Sequence, residues 1–262
     1  MYNALMPFKE RTVRTEAIVL RHKDYGEADR LLWLYTRKMG KVRAIAKGVR
    51  KIRSRKAGHL EPFIRVNLML ARGRDFFIVT QAETIEAYSS IREDLIHVGY
   101  AAYVVELLDR FTYDEDDNQQ LYRLLNETLS RINSFENPIL PVRYYEIQLL
   151  NLLGYRPQLF NCVHCESEIQ PEDQFFSISQ GGVLCPKCGP KFADASQISM
   201  ETLKYLRHFQ RSSFSEVAHL NLSPELNRNL ENLLQQYFTY FLERNLNTPT
   251  FIRRVKNKSH PG

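Results

Sequence analysis

The sequence predicts a multidomain α+β fold: a small closed β-barrel first, then an α-helical domain that holds an inserted metal module. Three observations carry this. Up to about residue 86, polar or glycine-containing turns cut the chain into strand-length apolar segments. From about residue 90 the apolar residues recur every three or four positions. Inside that helical stretch stand two Cys-x-x-Cys pairs with 19 residues between them.

The strands come first. Segments 16–21 (EAIVLR), 30–36 (RLLWLYT) and 41–46 (KVRAIA) are separated by the polar stretch Lys23-Asp24-Tyr25-Gly26-Glu27 and by a turn at Gly40. Segment 64–70 (IRVNLML) alternates, with Ile64, Val66, Leu68 and Leu70 on one face, and 74–80 (RDFFIVT) follows the Arg72-Gly73 turn. Residues 81–86 are candidates to continue the sheet. Five or so strands with one long connection suit a small closed barrel. The five-stranded Greek-key OB-fold is the first choice, and strand counting alone does not separate it from an SH3-like barrel.

The connections of this barrel are strongly basic. Residues 37–56 (RKMGKVRAIAKGVRKIRSRK) hold ten lysines and arginines and no carboxylate. The second half of that run has Ile52 as its only apolar residue after Val49, so it has little with which to bury itself. Residues 1–80 carry 19 basic against 7 acidic side chains, and residues 81–262 carry 17 against 23. The positive field therefore belongs to the barrel, and a solvated face of balanced charge does not account for it. The expected contact set for a phosphate backbone is Arg37, Lys38, Lys41, Lys47, Arg50, Lys51, Arg53, Arg55 and Lys56. Tyr25 is the aromatic best placed to stack on a base, ahead of Trp33, Tyr35, Phe63, Phe76 and Phe77, most of which should be core.

The helices follow. Ser90 and Glu93 read as a capping box, and Ile91, Leu95, Val98, Ala102 and Val105 continue at helical spacing to about Phe111. The acidic residues 114–117 break the chain and read as a solvated loop. A second helix covers about 119–132. Pro138 and Pro141 punctuate a turn, and a third helix, 142–153, stops at Gly154 before Pro157. Ser199 or a neighbour caps a helix running to about Arg211. Ser223, Pro224 and Glu225 open the last one, with Leu226, Leu230, Leu233, Tyr237 and Phe241 as its stripe. Residues 251–262 are expected to be a flexible tail, whose Arg253, Arg254, Lys256 and Lys258 would add weak phosphate contacts. The expected segments are thus a barrel over 1–88, a helical domain over 89–158 and 192–250, a zinc-ribbon-like insertion over 159–191, and the tail.

Cys162, Cys165, Cys185 and Cys188 form a C-x2-C–x19–C-x2-C array. Each pair presents two thiolates on one tight turn, and two pairs complete the tetrahedral shell that Zn²⁺ prefers. Gly181, Gly182 and Gly189 supply turn freedom, and 175–179 with 182–184 suit a small hairpin. Four thiolates close the shell, so the ion is structural rather than catalytic. No export signal core or membrane-length apolar run is evident, so thiols in a cytoplasmic protein are expected to hold metal rather than disulfides.

No Walker loop, dinucleotide fingerprint, HExxH or GxSxG is present. Glu27, Asp29, Asp114, Asp116 and Asp117 are scattered carboxylates that leave a metal-dependent nuclease as a minor alternative. An RNA-binding barrel-and-ribbon protein is another. Neither reading displaces a non-enzymatic nucleic-acid binder.

Several stretches resemble a known family. They are residues 15–51 (TEAIVLRHKDYGEADRLLWLYTRKMGKVRAIAKGVRK), 59–70 (HLEPFIRVNLML) and the paired cysteine knuckles. With Asp24-Tyr25-Gly26-Glu27, Asp29-Arg30 and Ala46-Lys47-Gly48, the chain is similar to the bacterial recombination-mediator family RecO, in its zinc-bearing branch. The resemblance implies an N-terminal OB-fold, a helical domain and an embedded zinc module. It implies binding of single- and double-stranded DNA and annealing of complementary strands. It also implies partnership with RecR in loading RecA onto DNA coated with single-stranded-DNA-binding protein (SSB), whose C-terminal tail docks on the helical part. A nucleoid-associated place in the cytoplasm would follow.

Overall fold

The computed structural model describes residues 11–114, 116–242 and 246–259. Residues 1–10 of the expected barrel segment, Glu115 of the acidic run, and the tail's last three residues with the Lys258 side chain lie outside the described part. The chain divides into two compact units. One extends to Tyr88 and takes in Thr112–Tyr122, and the other comprises Ser89–Phe111 and the chain from Arg123 onward.

In the first unit, β1 (Thr12–Tyr25), β2 (Asp29–Thr36), β3 (Gly40–Ala46), β4 (Arg65–Arg72) and β5 (Phe77–Glu86) close a barrel in the order β1-β2-β3-β5-β4. The β3–β5 pairing is parallel and the others are antiparallel. This is the OB order, so topology decides what strand counting left open. Strand β1 is long because it serves two neighbours: its second half pairs with β2 and its first half with β4. A register shift between Val19 and Arg21 lets it bend between them. Alternation then sets the core. Leu32 and Leu34, Val42, Ala44 and Ala46, and Val66, Leu68 and Leu70 all point inward. Gly40 has φ +60°, and a Cβ there would collide with the Asp116 carbonyl, so the backbone of the acidic segment passes close over the barrel while the Asp114, Asp116 and Asp117 side chains stay exposed, as expected of a solvated loop.

The second unit holds α1 (Ser89–Glu93), α2 (Leu95–Phe111), most of α3 (Gln119–Ser134) and α4 (Ile139–Leu152). A three-stranded sheet of β6 (Gln174–Ser177), β7 (Gly182–Leu184) and β8 (Ala195–Ile198) follows, in the order β7-β6-β8. Then come α5 (Met200–Arg211), α6 (Phe214–Val217), α7 (Pro224–Leu242) and α8 (Thr248–Ser259). Ser199 and Ser223 cap α5 and α7 as expected, accepting from the Thr202 and Leu226 amides. The expected first helix is instead interrupted at Asp94, whose carboxylate accepts from the His97 amide and starts α2 afresh. Pro141 lies within the first turn of α4, where its missing N–H costs nothing, so the two prolines do not make a separate turn. On α7, Leu234 and Phe238 are buried, while the expected Leu233 and Phe241 are only half-buried.

Where a flexible tail is expected, α8 runs through residue 259 with Ile252 buried. Two features on α2 hold it. Gly99 leaves room for it, since a Cβ there would sit 3.0 Å from Ile252 Cγ1. Glu106 accepts hydrogen bonds from the Asn247 and Thr248 amides and, at 2.6 Å, from the Thr248 hydroxyl. Burial would raise the Glu106 pKa, but these donors outweigh it and hold the carboxyl below its ordinary value.

The core of this unit contains a charge network. Arg143 on α4 is 1% exposed and donates to both oxygens of the fully buried Glu146, at 2.8 and 2.7 Å. Glu146 also accepts from the Tyr103 hydroxyl at 2.6 Å, and Arg143 reaches Glu231 on α7 at 3.3 Å. Removing one partner leaves the other charge buried and unpaired. Arg143→Met is therefore expected to cost about 3–5 kcal/mol, while an Arg143→Met/Glu146→Leu double change costs less. Urea melts of the three proteins measure this, and a double variant no more stable than the single one would contradict it.

Candidate nucleic-acid interface and metal centre

The outward positions of the barrel strands carry the candidate interface. Because Leu32 and Leu34 point inward, Trp33 points outward. The registers place Arg21 opposite Trp33 and Trp33 opposite Arg43, so the three form one row across β1, β2 and β3. The Arg21 guanidinium lies 3.6 Å from the Trp33 ring centre, with the Lys23 ammonium at 5.7 Å. Tyr25, at the end of β1, meets Phe76, from the β4–β5 connection, edge to face at 6.4 Å. Arg43 lies 5.3 Å from the Phe76 ring and is paired with Asp114 at 3.1 Å. Aromatic planes interleaved with cations therefore cover one outer face. Of the candidate aromatics, Tyr25 is 43% exposed, whereas Tyr35 and Phe77 are core. Arg21, Lys23 and Arg43 were absent from the expected contact set. Strand alternation together with register is the signal that finds them.

The expected basic residues divide. Lys38, Lys47, Lys51, Arg53 and Arg55 are exposed, and no carboxylate pairs with them among the described residues. The others are engaged. Lys41 is buried, at 8% exposure, because its strand neighbour is the segment at Asp114, so it leaves the open set. Arg37 faces Glu16 at 3.7 Å, Arg50 pairs with Asp24 at 3.1 Å, and the Lys56 ammonium donates to the Val79 carbonyl at 3.2 Å.

Those engaged charges hold the basic connection in place. Asp29 accepts from the Gly48 amide at 2.7 Å, in a turn where Gly48 takes φ +64°. Arg30 pairs with Glu61 at 2.7 Å, and Glu61 also contacts His22 at 3.1 Å. Asp24 and Asp29 thus pin the β1–β2 turn to the start of the β3–β4 connection, and Arg30 pins it to Glu61 near the connection's end. Val49 and Leu60 anchor that connection in the core.

The metal candidate is compact. All four cysteine sulfurs lie within 4.8 Å of one another, and Cys165 Sγ stands 3.9 Å from Cys185 Sγ. A tetrahedral shell with Zn–S bonds of about 2.3 Å has S···S edges of roughly 3.8 Å, so the thiols fit such an ion. The backbone builds both knuckles: Glu166 N–H donates to Cys162 O, and Gly189 N–H to Cys185 O. Hydrogen bonding from Ser167, at 3.0 Å, holds the Cys165 thiol pKa down, while burial and the neighbouring thiols push Cys188 up. Gly182 and Gly189 are required less for turn freedom than for close approach. A Cβ would lie 2.5 Å from Gln158 O at Gly182 and 2.2 Å from the Phe175 ring at Gly189. The expected hairpin is present as β6 and β7, and β8 adds a third strand before α5. Among the described residues, no other group of three or more His, Cys, Asp or Glu side chains is placed to share an ion. Asp29 and Asp114 are occupied by the partners named above. No helix among the described residues is long and apolar enough to cross a membrane.

An OB barrel joined to a helical unit with a four-cysteine centre defines the class. The family model described as "Recombination protein O N terminal" matches residues 10–88, and "Recombination protein O C terminal" matches residues 92–249. The chain is 38% identical over 248 residues to a protein of Roseiflexus sp. named DNA repair protein RecO, covering 95% of this chain and 87% of that one. A protein of the same name from Pelotomaculum thermopropionicum is 36% identical, with 92% and 93% covered. The chain belongs to the RecO family.

The metal centre yields a test. The protein should carry about one metal ion per chain, and Cys188→Ser should lose most of it. Elemental analysis of the purified proteins measures this. A parent protein with four titratable thiols and no ion after growth in zinc-supplemented medium would rule the centre out.

Proposed function

We propose that this chain is a DNA-binding recombination mediator acting in DNA repair, with Zn²⁺ as its structural ion. The observation that carries the proposal is the conjunction on one barrel of an outer row, Arg21, Trp33 and Arg43, with four exposed cations of the β3–β4 connection, Lys47, Lys51, Arg53 and Arg55, that no carboxylate pairs among the described residues. Cations that neutralise phosphates release counterions and weaken the repulsion between two strands. Aromatic planes stack on bases of any identity. Such a surface binds without reading sequence, as a protein acting on arbitrary breaks requires. No bond need be made or broken, so the role is binding rather than catalysis. The family resemblance supplies the finer parts of the proposal: annealing of complementary strands, and loading of RecA onto SSB-coated DNA together with RecR, in the nucleoid.

The helical unit offers a seat for the SSB tail, an acidic chain end with apolar residues. A recess of about 880 Å³ is lined by Phe160, Ile169, Lys204, Tyr205, Arg207 and Arg211. The Arg211 guanidinium lies 3.5 Å from the Phe160 ring centre. Burial, and then the like charge of Arg211, hold Arg207 below the usual guanidinium value, so an anion placed here relieves an existing repulsion. Lys204→Glu/Arg211→Glu should weaken binding of an SSB C-terminal peptide at least tenfold in fluorescence anisotropy. Unchanged peptide affinity would remove the assignment.

DNA binding is tested on the barrel. Lys51→Glu/Arg53→Glu/Arg55→Glu should weaken single-stranded DNA binding and reduce the slope of log K against log salt by about two. Trp33→Ala and Phe76→Ala should weaken binding with the slope retained, by about 1–3 kcal/mol for each base stack lost. Competition with RNA of equal length shows whether DNA is preferred. A triple reversal that binds like the parent would overturn the proposal.

A further inference from the structure

The basic connection contains one side chain that neither packing nor charge explains. Ile52 is wholly exposed, more so than any other large apolar residue among the described ones. Its position follows from a turn. The Ser54 amide donates to the Lys51 carbonyl at 2.8 Å, which puts Ile52 and Arg53 at the two corners. Corner positions favour Gly, Pro, Asn, Asp and Ser, and a β-branched aliphatic there contributes nothing to the turn.

The turn is also held firmly. On one side Val49 is buried and the Arg50 amide donates to the Ala28 carbonyl at 2.9 Å. On the other, the Lys56 ammonium is tied to Val79 O and Leu60 is buried in the barrel core. An aliphatic side chain is thus displayed on a fixed support, between the open cations Lys51 and Arg53.

That pattern matches a polyanion with an apolar interior, namely stacked bases behind phosphates. A protein partner fits less well, because the run offers no second apolar side chain from which to build a patch. We propose that Ile52 is a wedge that enters between adjacent bases of the bound strand while Lys51 and Arg53 hold the phosphates on either side. Apolar side chains, isoleucine among them, part base steps of duplex DNA in this way when proteins bind its minor groove. An opened step separates neighbouring bases and presents their pairing edges to an incoming strand. The inference rests on the DNA-binding proposal above.

The test uses the full-length protein and a single-stranded adenine-rich oligonucleotide carrying 2-aminopurine, whose emission rises on unstacking. The parent should raise the emission on saturation. Ile52→Ala should abolish that rise and weaken binding about tenfold, with an unchanged salt slope, and Ile52→Leu should restore both. Ile52 touches nothing, so melting temperatures should not move. If Ile52→Ala raises the emission as the parent does, or if affinity falls while the parent itself causes no unstacking, the wedge is wrong. If the Lys51/Arg53/Arg55 reversal weakens binding while Ile52→Ala is silent, only the wedge falls. If both bind like the parent, the DNA-binding surface falls with it.

Discussion

The β3–β4 connection carries too many like charges to fold on itself, and the barrel resolves this by fixing it at its ends. Asp29 holds Gly48, Asp24 holds Arg50, and Lys56 is tied to a sheet carbonyl. Val49 and Leu60 sink into the core on either side. A few short-range contacts to neutralising partners therefore leave Lys47, Lys51, Arg53 and Arg55 facing water. Their mutual repulsion persists in the folded state, and a bound polyanion would relieve it. The charges Asp24, Asp29 and Arg30 are the fasteners, and the open cations are neighbours of the residues they hold.

The helical unit uses a different economy of charge. Its Arg143, Glu146 and Tyr103 lie inside, where each ion is acceptable because the others supply most of its hydrogen bonds. The four-cysteine centre is tied to the same unit. Arg207 of α5 donates to the Leu159 carbonyl just before the first knuckle, and Phe176 of β6 meets Tyr237 of α7 edge to face at 5.7 Å. A metal ion there would fix the segment that carries Phe160, and with it one wall of the recess along α5.

Several elements were legible before any coordinates. The alternation Ile64, Val66, Leu68, Leu70 gave a strand and its inner face, and Ser199 and Ser223 gave two helix starts. The cysteine spacing gave a cluster whose sulfurs do converge. Other elements depended on partners far away in the chain. The tail reads as polar and short, and α8 forms because Gly99 admits it and Glu106 caps it. Lys41 reads as one more open cation, and it is buried because the segment at Asp114 lies alongside β3. Trp33 sits among leucines and looks internal until alternation is applied strictly.

The sequence alone determined periodicity, the sign and location of charge, and the presence of four soft ligands at knuckle spacing, because these are local properties of the chain. The tertiary structure decided which cations are free, which aromatics face outward in one row, and which strand order closes the barrel. Those outcomes depend on register and on contacts between residues tens of positions apart, and local composition does not encode them.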